Sequence, residues 1–461
     1  MHQVMKHDNR DSLDFGTMNI SYLFRKMFIP TFLGMVCSSL VNITDGIFVG
    51  RGVGSDALAA VNMCAPMFMI ATGLALMLGV GGSVVVSIHL SKHKIKAANI
   101  NMTQAFTSLV ILGLLLAAFP MAFPQFTYNL LGGTELLFPY MAHYMKWVAP
   151  TMFVFVLVCA GMFFIRLDGS PMYSMLCEAI PTLLNVVLDY IFIFPLKMGV
   201  EGAALASAIS MTVGFLMVLY YMFFRTQTLH FYKPKFSRTA MGLYFRNIGY
   251  MTKNGFPSML GELAMSCVVL TGNICFVKYL GEDGVAAFSV GSFCLPIIFM
   301  IGNSIAQSAQ PILSYNYGNS QTDRVHQMYR MELIVGVAGG ILLTLLGMVL
   351  CKPLASLFLE PGTNANAIAV AGLPFFSLGF LFTTLNLVQT GYYQSLEYAG
   401  KASLVMLLRG FVFMIPAFFL LPHVVGTKGL WLAIPVTEFL TALTIVVIEC
   451  IHKRSLTVKI S

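Results

Sequence analysis

The chain has 461 residues, of which 57% are hydrophobic and 10% charged. A soluble domain carries about 25% charged residues, so this composition excludes a set of water-facing globular domains and indicates a membrane-embedded chain. The formal net charge of +8 does not indicate nucleic acid, because the basic residues sit between apolar runs and form no stretch interleaved with aromatics.

The charged segment from Met1 to Lys26 lacks the apolar core and small-residue cleavage site of a signal peptide, so the first span is expected to be retained. A window of about 19 residues reads six spans near 27–49, 57–90, 103–123, 140–165, 172–194 and 203–224. Six more follow near 256–279, 285–315, 333–350, 367–394, 403–421 and 430–451. The expected fold class is all-α and polytopic, about 12 transmembrane helices in two parallel-repeat six-helix bundles. The expected division is a cytoplasmic segment 1–26, a first bundle 27–224, a cytoplasmic linker 225–253, a second bundle 254–451 and a cytoplasmic tail 452–461. The second and eighth spans exceed the roughly 20 residues a bilayer needs, so tilt or extension into water is expected, with breaks near Gly79 to Gly82.

Of the 27 Lys and Arg residues, 21 fall on one side, Arg166 and Arg409 among them. Arg51, Lys146, Lys197, Lys278, Lys352 and Lys428 fall on the other. Retention of positive charge makes the crowded side cytoplasmic and puts both termini there. The nine cysteines show no paired ligand spacing and read as small buried hydrophobes.

An internal repeat appears when the chain is slid by 227 positions. Pro30, Leu33, Gly34, Ser39, Val41 and Thr44 fall on Pro257, Leu260, Gly261, Ser266, Val268 and Thr271. Gly54, Asp56, Pro195, Gly199 and Gly202 fall on Gly281, Asp283, Pro422, Gly426 and Gly429. With an even number of spans per half, both halves enter the membrane from the same side, which suits alternating access around a shared cavity.

Ionisable groups inside spans are costly and point to partners or function. Asp45 and Asp189 lie at one depth below the sparsely charged side, at about 1.5 Å of rise per residue. Ser207 reaches a similar level, and Asn185 is one turn from Asp189. Two carboxylates, an amide and a hydroxyl are hard oxygen donors suited to sodium or protons. The alternative is that each carboxylate caps a helix or bonds backbone separately. At the repeat offset Asp45, Asp189 and Ser207 correspond to Gly272, Pro416 and Ile434, so an ion site would belong to the first half alone. Glu262 and Glu438 could meet a cationic substrate; the alternatives are a helix-to-helix hydrogen bond for the first and an interhelical or lumen-facing group for the second. Glu178 reads as a solvated charge at a loop end. The 31 methionines and 38 phenylalanines offer soft and aromatic lining for varied lipophilic cations.

The run Asn42-Ile-Thr-Asp45-Gly-Ile-Phe-Val-Gly50 with Gly54-Ser-Asp-Ala-Leu-Ala-Ala60 resembles the first-span signature of the multidrug and toxic compound extrusion (MATE) family. Asn185-Val-Val-Leu-Asp189, Gly199 to Ser207, Asn254-Gly-Phe-Pro-Ser to Glu262, Gln307-Ser-Ala-Gln-Pro311 and Gln389-Thr-Gly-Tyr-Tyr-Gln394 resemble its bacterial MepA-like branch. The resemblance covers nearly all the chain after about Leu23. It implies a V-shaped pair of lobes in the bacterial cytoplasmic (inner) membrane, exporting organic cations and drugs in exchange for sodium or protons, without a cofactor and as a monomer among membrane lipid. The family's first-lobe cation site would fall on Asp45, Asn185, Asp189 and Ser207, where many relatives have threonine for Ser207. Asn42, Glu262, Gln307, Gln389 and Glu438 are the substrate-cavity candidates. The acidic pair of the second lobe in the NorM-like branch has no clear counterpart, since Glu262 is displaced. The alternative function is a flippase for a lipid-linked precursor, which a basic cavity would favour. A channel would want a repeated filter or acidic ring, and no catalytic motif suggests an enzyme.

Overall fold

A computed structural model describes residues 13–133, 135, 137–233 and 237–460, with side chains except at 41–43, 46, 50, 51, 55, 56, 58 and 451–460. The Asn42 side chain and the segment 1–12 therefore lie outside the described residues. The first half comprises α1 (Ile20–Gly52), α2 (Ser55–Ser91), α3 (Ile95–Ala122), the short α4 (Pro124–Leu130), α5 (Phe138–Leu167), α6 (Pro171–Ile193) and α7 (Gly199–Tyr220). The second comprises α8 (Arg238–Gly318), α9 (Thr322–Val349), α10 (Cys351–Phe358), α11 (Asn364–Ser377), α12 (Phe380–Ser395), α13 (Ala399–Leu407), α14 (Met414–Val425) and α15 (Lys428–Ile460).

Among the described residues, ten helices are long and apolar enough to cross a membrane, and α11 with α12, bent by 46°, forms an eleventh span. The twelfth comes from α8. Its 81 residues would extend about 120 Å if straight, four times a bilayer core. Instead the helix breaks at Gly281, whose φ of 67° is the left-handed region open to glycine. The two limbs then pack against each other, Phe276 stacking on Phe288 at 4.5 Å. The repeat partner of Gly281, Gly54, also has positive φ at its turn, and Gly199 and Gly426 match at 63° and 66°. Identity at the offset thus marks places where the backbone admits little but glycine.

Leucines at 115, 183, 216, 270, 345 and 420 point outward. Such a belt suits lipid, and the backbone groups of the spans are satisfied within the helices. The chain is an integral membrane protein.

The end bearing the loops 91–95, 167–171, 225–238, 318–322 and 395–399 is called the basic end below. One buried core runs through the first half and crosses into the second there, taking in Ile305, Ile312, Leu313, Val325 and Met328. The second half keeps a separate core around Phe288, Phe376, Phe418 and Trp431. Polar contacts between halves run from mid-depth to the basic end: Ser83 donates to Gln310 (3.1 Å) and Arg166 to Gln307 (2.8 Å). The V therefore closes at the basic end.

Two segments brace that end. Before α1, the carbonyl of Phe15 accepts from Asn316 (2.9 Å) and Arg324 (2.8 Å), and that of Met18 from Arg324 (2.7 Å). The linker is not a simple loop. Asp168, buried at the α5–α6 turn, accepts from the backbone of Gln227, Thr228 and Leu229 and from the Tyr221 hydroxyl. From Arg238 the linker is already helical, and Tyr244 and Asn247 reach back to Ser108 and Gln104 of α3.

The expected break near Gly79 to Gly82 is absent: α2 is continuous from Ser55 to Ser91. These glycines serve contact instead. A Cβ on Gly81 would collide with the Met251 carbonyl, and one on Gly255 with the Met77 carbonyl. Gly255→Ala should therefore cost about 1–3 kcal/mol through overpacking, read as a lower Tm in micelles. Gly242→Ala, which meets nothing within 4 Å, should leave Tm unchanged or slightly raised.

Candidate functional site

On α6, Pro181, Asn185, Asp189 and Ile193 are buried at intervals of four, one row on the face turned inward. Close approach of α1 to this row is set at Gly52, where a Cβ would strike Ile193. That approach brings the half-buried Asp45 carboxyl against Asp189. From α7, Ser207 accepts from the Asn185 amide at 3.3 Å. Asp189 has no exposed surface, and neither oxygen meets a hydrogen-bond donor among the described residues. Ionised carboxylates only accept, so two facing each other need a proton or a cation between them.

Tyr144 of α5 stands near enough to feel both carboxylates and is buried. The sequence reading passed over it, although it sits six residues into α5, the depth that marked the other members. Among the described residues no three His, Cys, Asp or Glu side chains cluster as metal ligands, so a cation here would draw on the amide and hydroxyl as well.

A separate cavity of about 70 Å³ lies between the halves, lined by Glu262, Asn303, Gln307, Gln310 and Gln394 with Phe163, Phe299 and Met406. The Glu262 carboxyl makes no hydrogen bond among the described residues and faces this space. Gln307 also lines it, its oxygen held by Arg166, which donates to Ser174 (3.1 Å) and lies 5.0 Å over the Phe163 ring. Gln389 does not line the cavity: it accepts from Tyr329 at 2.6 Å between α9 and α12.

Glu438 lines a second, smaller cavity of about 20 Å³ together with Arg409, but its charge is already met. It is buried and paired with Arg409, whose Nε lies 3.1 Å from it, while Asn386 donates to it at 2.7 Å. Arg409 is correspondingly no loop cation, and buried Arg166 is likewise withdrawn from the basic-end surface. Glu178 differs from expectation too: it is half-buried, with its carboxylate over Gly34 of α1.

Twelve spans among the described residues, in two repeated halves closed at one end around a shared cavity, have the architecture of a membrane transporter. The chain belongs to the MatE family, whose model matches it twice, at residues 30–191 and 257–420. The two matches begin 227 positions apart, the offset of the internal repeat. It is similar to the multidrug export protein MepA of Staphylococcus saprophyticus, 24% identical over 443 residues and 93% of both chains. Its fold matches an outward-facing MATE family transporter of the MOP superfamily with a TM-score of 0.87 at 22% identity, covering 96% of this chain and 97% of that one. A Vibrio cholerae MATE transporter superposes with a TM-score of 0.86 at 21% identity, over 95% and 98%.

Removing one partner of a buried ion pair leaves the other uncompensated and costs about 3–5 kcal/mol. Glu438→Gln should therefore lower Tm sharply, and the double change Arg409→Met with Glu438→Gln should restore most of the loss. A single variant with wild-type Tm but weaker substrate binding would instead place Glu438 in contact with substrate.

Proposed function

We propose that the protein is a multidrug efflux antiporter that exports lipophilic organic cations in exchange for sodium or protons by alternating access. The observation that carries this reading is the Asp45–Asp189 pair, in which both buried oxygens of Asp189 lack a donor, beside the Asn185–Ser207 contact. The names of the relatives, the uncompensated Glu262 in the cavity and its aromatic and Met lining support the substrate class. Charge asymmetry supports a cytoplasmic basic end with both termini there, and the bacterial relatives support the cytoplasmic membrane as its location. A pseudosymmetric V that encloses its own cavity supports function as a monomer.

The coupling ion enters from outside, satisfies the Asp45 and Asp189 oxygens, and favours release of the drug and return to the inward-open state. By linkage the drug weakens ion binding equally. A potential of 100 mV supplies about 2.3 kcal/mol per charge, roughly fifty-fold accumulation.

Proteoliposomes loaded with a fluorescent lipophilic cation, with sodium and proton gradients imposed separately, test this. Asp45→Asn and Asp189→Asn should cut gradient-driven efflux at least about tenfold while Tm is kept. Wild-type efflux in either variant, or lipid-linked pyrophosphate scrambled without cation exchange, overturns the reading. Glu262→Gln should raise the half-saturating cation concentration about tenfold, about 1.4 kcal/mol, with coupling intact.

A further inference from the structure

Among the described residues, two carboxyl groups have both oxygens buried and without a donor: Asp189 and Glu332. Asp189 has Asp45 against it. Glu332, on α9 and without exposed surface, has no carboxyl partner. At the repeat offset it corresponds to Ala105, so the packing common to both halves does not call for it.

The groups around it are titratable but supply no compensating charge. Tyr329 lies one turn earlier on α9, its ring 4.0 Å from that of Tyr392 on α12, and both phenols are close enough to sense Glu332. One turn later, Gly336 packs on Val388 and Leu385 of α12. Toward the basic end, Lys401 is taken up by Glu449 at 2.9 Å, and Arg330, two residues before Glu332 on α9, is exposed. An ionised Glu332 would be a buried charge with neither donor nor counter-ion, which costs several kcal/mol, whereas the carboxylic acid carries no such penalty. One carboxyl beside phenols also offers too few oxygens for a metal cation.

We propose that Glu332 is a second proton-binding site, belonging to the second half and exchanging with the basic end. Its route is a polar row through otherwise apolar packing. Tyr329 donates to Gln389, Gln389 neighbours Tyr393, and Tyr393 donates to Glu449 at 2.6 Å, where Glu449 and Lys401 are about one-third exposed. The Gln389 amide does not itself relay protons, so the row acts as a lining along which a proton travels with water, and the turn from Tyr329 to Glu332 is its last, unbonded step. This site is independent of the Asp45–Asp189 reading, because no lining residue is shared.

Infrared difference spectra of the purified full chain across a pH jump test the proposal. The carbonyl band of a protonated carboxylic acid should shift in deuterated buffer in wild type, disappear in Glu332→Gln, and persist in the Asp45→Asn, Asp189→Asn double variant. Tyr329→Phe should slow that exchange at least about tenfold without removing the band. A band set unchanged in Glu332→Gln overturns the proposal. Glu332→Met provides the same readouts should the amide prevent folding. Loss of transport in the Asp45 and Asp189 variants alone bears on the first-half pair and leaves the infrared result to decide Glu332.

Discussion

Backbone touches backbone where α2 meets the first limb of α8. Gly81 and Gly255 leave no room for a Cβ because each faces a carbonyl of the opposite helix, Met251 and Met77. So close an approach gains dispersion along both helices where hydrophobic driving force between lipid-bathed helices is weak. Much else depends on it. Ser83, half a turn beyond Gly81 on α2, reaches Gln310 on the second limb of α8, and the cavity with Glu262 borders this seam through Leu76, Val80 and Ser258. A transporter that rocks its halves must keep or break this contact as a unit, since two interlocked glycine faces cannot slide by a fraction of a turn without collision.

The polar groups inside the membrane divide by how their charge is met. The charges of Arg409 and Glu438 meet each other, with Asn386 donating to the carboxylate, and behave as internal structure. Asp45 with Asp189 is a pair of like groups that a mobile cation would satisfy. Glu262 faces open space, and Glu332 faces none. Charge that the fold itself satisfies does not respond to a gradient, whereas charge left for a mobile species does. On the proposed function, the first half would carry the ion chemistry tied to Asp45 and the cavity between the halves the substrate chemistry.

Much of this was legible from the chain alone. Span number followed from hydropathy, and the halves from a gapless offset that recurs at glycines of positive φ. Depth counting brought Asp45, Asn185, Asp189 and Ser207 to one level, and the fold brings their helices together there. Gln389 was grouped with cavity residues through its family-like motif, which does not give azimuth, and it faces α9; Tyr144 was overlooked because the depth count was applied to ionisable groups and their neighbours on α6 and α7. Partners distant in sequence were also invisible: Arg409 looked like a loop cation because Glu438 lies 29 positions away. Glu332 was masked by its proximity to the charged start of α9, and the Gly79 to Gly82 cluster suggested a break because composition does not distinguish a kink from a contact.

The braces at the basic end carry a consequence for biogenesis. The segment before α1 is held by Asn316 and Arg324, and the helix leading into the second half is held by Gln104 and Ser108 on α3. Each half is thus fastened by the leader of the other. During synthesis the first leader emerges some three hundred residues before its anchors exist, so it must wait undocked while eight spans insert. Only when α9 has left the ribosome can the closure lock, which makes the seal on the basic end a late event and a built-in check that both halves have been made.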